Sequence, residues 1–127
     1  MKSWLFLSPI LAFALLCAGC VSLPASTQLN VEIHNYTSQK LSDVEAWFGE
    51  NKCRVGILIP GVFKVHVFYA YPITEHARVV WKDLDGKSHE VLVDLSKVYK
   101  RGQSGVLELG ITDLGVVPKL KPLPPVP

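Results

Sequence analysis

From Leu29 to Asp113 apolar and polar residues alternate almost one by one, and no other feature constrains the fold so tightly. Successive side chains of an extended chain point to opposite faces, so a period of two marks strands with one face buried and one in water. Leu29, Val31 and Ile33 share one face, with Asn30, Glu32 and His34 on the other. Val44, Ala46 and Phe48 lie together within Leu41 to Phe48, and Cys53 falls in phase with Val55, Ile57 and Ile59. Phe63, Val65, Val67, Tyr69 and Tyr71 alternate with Lys64, His66, Phe68 and Ala70, which makes the longest expected strand. Ala77 to Trp81, Val91 to Leu95 and Leu107 to Ile111 repeat the pattern and bring the expected strands to seven.

Turn signals separate these runs. Asn35 to Gln39, Gly49-Glu50-Asn51 and Pro60-Gly61 break the alternation, and Pro72 ends the long strand. Asp85-Gly86 reads as a tight hairpin turn that needs positive φ. Residues 96–104 read as a polar loop or a single helical turn. Short strands about twelve residues apart, with no helix-period segment between them, predict an all-β antiparallel sandwich over residues 29–113. An immunoglobulin-like arrangement fits this best, with a small barrel as the alternative. Residues 114–127 stand apart: Pro118 to Pro127 holds five prolines in ten residues, which predicts a polyproline II or disordered tail. Lys119 to Pro125 has the basic-x-x-Pro-x-x-Pro form of a ligand for aromatic grooves, although a stiff spacer is the plainer reading.

The amino end has a different character. Lys2 gives a positive start, Trp4 to Leu16 is apolar except at Ser8 and Pro9, and Ala18 and Gly19 precede Cys20. An apolar run of about thirteen residues is too short to span a bilayer as a helix, which needs roughly 20. It has the layout of a cleavable export signal. Leu16-Cys17-Ala18-Gly19-Cys20 resembles the bacterial lipobox, with Cys17 in the usual aliphatic place and Leu16 one step further out. The resemblance implies cleavage before Cys20, lipidation of its thiol, and attachment to a membrane through the acyl chains. Val21 and Ser22 stand where an aspartate would favour inner-membrane retention, so the resemblance points to the outer membrane, facing the periplasm. Residues 1–19 are then the signal and residues 20–28 a lipidated tether.

Without the signal 108 residues remain, enough for one small domain. Twelve basic and eleven acidic residues nearly balance. That excludes the basic footprint of a nucleic-acid binder and gives no overall pull towards anionic lipid. With Cys17 removed and Cys20 acylated, Cys53 stands alone and no disulfide can form within the chain. In its apolar phase Cys53 reads as a buried thiol acting as a small hydrophobe.

Candidate chemical motifs fail on their own requirements. Gly86-Lys87-Ser88 lacks the earlier glycine of a phosphate loop, because Trp81 occupies that place. Asp83-Leu84-Asp85-Gly86, aligned as a calcium loop, puts Trp81 and Leu92 at ligand positions. His34, His66, His76 and His89 have no paired spacing, so neither a metal nor another cofactor is expected. Glu75-His76 are adjacent turn residues that point apart, and Ser104 lacks the nucleophile-elbow spacing. No catalytic residues are expected. Asn35-Tyr36-Thr37 matches a glycosylation sequon.

Val31 to Asn35, Ile59-Pro60-Gly61, Val80 to Lys87 and Gly105 to Leu109 resemble segments of small, uncharacterised bacterial envelope proteins with immunoglobulin-like domains. The resemblance implies the fold and carries over no functional residue. Trp47 falls out of phase with its neighbours, facing outward beside Leu41 and Asp43, and Phe68 is similarly out of phase. Outward aromatics are enriched at interface hot spots, so Trp47 and Phe68 are the candidate partner-binding residues. The expected function is a lipid-anchored, non-enzymatic module that binds an envelope protein. The alternative is an inhibitor or immunity-type lipoprotein acting through a protruding loop, 96–104 or 72–76, against a hydrolase or toxin.

Overall fold

The alternating runs become strands that fold into two facing sheets, an all-β sandwich. The computed structural model describes residues 28–66, 69 and 71–125. Its strands are β1 (Leu29–Asn35), β2 (Leu41–Phe48), β3 (Asn51–Leu58), β4 (Phe63–His66), β5 (His76–Lys82), β6 (Ser88–Asp94), β7 (Gly105–Thr112) and β8 (Gly115–Lys121). One four-stranded sheet runs β4-β1-β7-β8 and the other β3-β2-β5-β6. Between them pack Val31, Ile33, Val44, Phe48, Val79, Trp81, Leu107, Leu109 and Ile111, all buried.

Three expectations are corrected. The described residues form eight strands, not seven, because residues 115–121 pair antiparallel with β7 instead of hanging free. Pro118 is tolerated there because β8 is an edge strand, whose outer side needs no hydrogen bonds. The first sheet is also mixed and not wholly antiparallel. β1 and β7 run parallel from Leu29 opposite Gly105 to Asn35 opposite Ile111, a relation that period two cannot distinguish from antiparallel pairing.

The third correction concerns phase. In β3, Gly56 opposes Val44 and Arg54 opposes Glu45, leaving Val55 as an extra residue. Gly56 takes φ +83° at this bulge. The alternation therefore slips: Cys53, Val55 and Leu58 face the core, while Ile57 and Ile59 are exposed. A second irregularity in β2 centres on Asp43, at φ +49°. It turns Leu41 into the core, so Leu41 does not share the outward face with Trp47.

Among the described residues, one polar residue is fully enclosed. Asn35 donates from Nδ2 to the carbonyls of Gln39 (2.8 Å) and Leu58 (2.9 Å). Its Oδ1 accepts from Thr37 N (2.9 Å) and Thr37 Oγ1 (2.7 Å). Every bonding position of the amide is used, as burial requires. The sequon asparagine is thus a structural pin between the end of β1 and β3, with no free nitrogen for a glycan.

Candidate binding surfaces

The parallel register of β1 and β7 builds an ordered polar cluster on the outer face of the first sheet. Glu32 lies opposite Glu108, and His34 lies opposite Gly110. His34 Nε2 sits 2.7 Å from Glu32 Oε1 and 3.1 Å from Glu108 Oε1. Tyr36 and Phe63 both stack on the imidazole, with centroids 5.2 and 4.4 Å away. The Tyr36 hydroxyl donates to Glu108 Oε1 at 2.9 Å. Lys121, from edge strand β8, donates to Glu32 Oε1 at 3.1 Å and Glu108 Oε1 at 3.2 Å.

Burial pushes the Glu108 carboxyl up, but the hydrogen bonds from Tyr36 and Lys121 outweigh it and hold the group below its usual range. Burial alone would lower Lys121; its bonds to Glu32 and Glu108 prevail and raise it. Tyr36 is raised by burial and by its bond to Glu108. Among the described residues, Glu32, His34 and Glu108 place one donor atom each within 4.8 Å of one another, close enough to share a metal ion. The Lys121 ammonium already bridges the two carboxylates, so the cluster carries its own cation. Histidine spacing could not reveal this group, since Glu108 joins it only through the pairing of distant strands.

The outer face of the second sheet is organised around Trp47. Lys52 on β3 and Arg78 on β5 both pair with Trp47 on β2. Their cationic groups lie 5.2 and 5.1 Å from the indole centroid, within cation–π range. Trp47 Nε1 donates to Glu45 Oε2 at 3.2 Å, and Arg78 reaches Glu90 at 2.9 Å. Beside this ladder runs a shallow groove of about 560 Å³, lined by residues that include Asp43, Glu45, Val80, Lys82, Ser88 and Glu90. The groove offers donors, acceptors and charges of both signs.

A smaller cleft of about 340 Å³ opens at one end of the sandwich, where the turns after β1, β5 and β7 meet. Asp83 is its organiser. Asp83 Oδ1 accepts from Asp85 N at 2.9 Å and Lys87 N at 3.0 Å, while Oδ2 meets His89 Nε2 at 2.8 Å. Its carboxyl is held low, chiefly by the His89 bond. His89 in turn stacks on Trp81 at 5.3 Å. Gly86 adopts φ +80° as the turn requires, but the connection spans residues 83–87 because Asp83 caps a wider loop. The nearby hydroxyls are also engaged: Thr112 Oγ1 donates to Gly115 O at 2.9 Å, and Thr37 Oγ1 to Asn35 Oδ1.

Of the residues singled out from the sequence, Trp47 is half-buried at the centre of its sheet, while Cys20 and Phe68 lie outside the described residues. Cys53 is buried, and burial pushes its thiol up. The sites missed were the cluster around Glu108 and a run of exposed apolar side chains, Ile57, Ile59, Val62, Phe63 and Val65, along the flank formed by β3 and β4. The exposure of Ile57 and Ile59 follows from the bulge at Val55, which only the glycine in mid-strand could have signalled.

No protein-family model matches the chain, and no curated protein matches it. The chain is similar in structure to a protein from Eubacterium rectale solved by NMR, with a TM-score of 0.54 over 84% of this chain and 99% of that one. The two are 10% identical, so what they share is the two-sheet β-sandwich fold.

Proposed function

We propose that this chain is a lipid-anchored, non-enzymatic module of the bacterial envelope that binds another protein through the outer face of the β3-β2-β5-β6 sheet. In this reading Cys20 carries the acyl chains, residues 21–28 link them to β1, and the sandwich is an immunoglobulin-like variant extended by β8. The observation that carries the binding proposal is the Lys52–Trp47–Arg78 ladder beside the mixed-charge groove. It presents a large, conformationally fixed aromatic among ordered polar groups, the combination that makes interface hot spots. A non-enzymatic role is supported by the Asp83–His89 pair, whose bonds serve the β5–β6 turn.

A photo-crosslinking residue placed at Val80, within the groove, tests this in intact cells. The expected result is one discrete adduct that disappears when Trp47→Ala is added and is absent when the probe stands at Lys119 on the other sheet. Equal labelling from Val80 and Lys119, or labelling indifferent to Trp47, would count against this face.

A further inference from the structure

We infer that the free edge of β6 docks a second copy of this chain, with the two β6 strands paired antiparallel about Val91. Among the described residues, β6 is an end strand of the β3-β2-β5-β6 sheet. Its pairing with β5 is unbroken from Ser88 opposite Lys82 to Asp94 opposite His76. Two bonds fix the phase of that ladder. Asp83 N donates to Lys87 O at 3.0 Å, and Leu95 N donates to Glu75 O at 2.8 Å. Bonded pairs of an antiparallel ladder recur at every second residue, so His89, Val91 and Val93 direct their main-chain groups to β5. The amides and carbonyls of Ser88, Glu90, Leu92 and Asp94 therefore point out from the edge. All four residues are exposed, Leu92 at 68%.

A row of outward amides and carbonyls is complementary to another strand, and folds commonly blunt such edges. The other three end strands are blunted. β8 lacks a donor at Pro118 and carries Lys119 and Lys121. β4 is four residues long. β3 is broken by the bulge at Val55, whose carbonyl already accepts from Lys64 at 2.9 Å. β6 has no proline, glycine, lysine or bulge. Its two acids are held within their own chain. Glu90 accepts from Arg78 at 2.9 Å, and Asp94 Oδ1 accepts from Ser96 N at 2.9 Å and Ser96 Oγ at 2.7 Å.

The sequence of β6 identifies the occupant, because it complements itself. Pairing two copies about Val91 sets Ser88 opposite Asp94 and Glu90 opposite Leu92 across the axis. Every outward main-chain group of the four residues is then used, in about eight bonds. Ser88 presents a hydroxyl to the Asp94 carboxylate, Leu92 is covered, and the acids meet only on diagonals. An axis at Glu90 would set that residue against itself, and an axis at Leu92 would set Glu90 against Asp94. Like charges directly opposed across a ladder are destabilising, so one register satisfies phase, charge and burial together. It joins the two four-stranded sheets into one and leaves both Trp47 faces on the same side. The pairing requires neither acylation of Cys20 nor a protein bound at Trp47.

The test uses the full chain, purified in mild detergent and studied at micromolar concentration. Sedimentation should show a dimer. Val91→Cys places two thiols across the axis at a separation a disulfide can bridge, so oxidation should link two copies there and not in Lys119→Cys. Leu92→Pro removes an outward amide that the ladder to β5 does not use, a change edge strands tolerate. Leu92→Asp sets an acid opposite Glu90 of the second copy. Each should weaken dimerisation about tenfold or more while circular dichroism matches the parent. Leu92→Lys, which faces Glu90 with the opposite charge, and Val117→Asp on the other sheet should leave the dimer intact. Where Leu92→Pro perturbs the strand, the contrast between Leu92→Asp and Leu92→Lys decides. A monomeric parent, a dimer indifferent to Leu92→Asp, or equal crosslinking from Val91→Cys and Lys119→Cys overturns the proposal.

Discussion

Tyr36 lies flat over Gly110, so close that a Cβ on the glycine would fall 2.8 Å from Tyr36 Cε2. Parallel pairing of β1 and β7 brings these distant residues together, and the missing side chain at 110 lets the Tyr36 hydroxyl reach Glu108. Gly110→Ala should displace the ring and lower stability by about 1–3 kcal/mol, the range for overpacking. Tyr36→Phe keeps the ring and loses only the hydrogen bond, at about 1.5–3 kcal/mol for a charged acceptor. Urea unfolding of the two variants and the parent checks both figures.

The Glu108 cluster predicts the direction of pH dependence at both ends. Glu108 titrates below its ordinary value when folded, so the unfolded chain binds the proton more readily. Its stabilisation is fully present above about pH 4.3, the unfolded carboxylate value, and is lost as pH falls through the folded value. Asp83 and Asp94 are depressed too, so Glu108→Gln should make the acid limb shallower without removing it. Lys121 and Tyr36 are raised; their contribution holds below about pH 10 and fades above it. Unfolding midpoints across pH should follow this dome, and an acid limb of unchanged slope in Glu108→Gln would contradict the assignment.

Asn35 should be among the least replaceable polar residues of the fold. Asn35→Ala leaves the Leu58 and Gln39 carbonyls and the Thr37 amide without their partner. Leaving buried groups unsatisfied costs about 1–3 kcal/mol. Asn35→Asp removes both donors and sets a carboxylate oxygen against two carbonyls, so it should be no better tolerated. Thermal unfolding ranks the two against Thr37→Ala.

The Lys52–Trp47–Arg78 ladder is exposed enough that each cation contributes modestly, about 0.5–1 kcal/mol. Lys52→Met and Arg78→Met should each destabilise by that amount in the presence of Trp47. In a Trp47→Leu background the effect should shrink towards zero. A double-mutant cycle with equal losses in both backgrounds would mean that the indole does not engage the cations.

Much of the sandwich was legible in the sequence. The inward sets Val44-Ala46-Phe48, Ala77-Val79-Trp81 and Leu107-Leu109-Ile111 are all buried as their period requires, and Cys53 is a core thiol. The failures have particular causes. Val55 adds one residue to β3, and beyond it the period continues with its faces exchanged. On edge strand β4 the apolar residues Phe63 and Val65 pair with His34 and Glu32 on the wet face, so hydrophobicity alone misassigns the inside. The prolines near the end read as forbidding a strand, whereas an edge strand needs hydrogen bonds on one side only. Glu32 and His34 were visible as outward neighbours, but Glu108, Tyr36 and Lys121 reach them through strand pairing that local spacing does not encode.

Whether Cys20 anchors the chain is decided by the intact mass of the protein extracted from its native membrane, beside a Cys20→Ala version. The expected product is a mature chain that begins at Cys20 and carries added acyl mass, with both the cleavage and the added mass lost in the variant. An unmodified chain released into solution, or one that keeps residues 1–19, would contradict it.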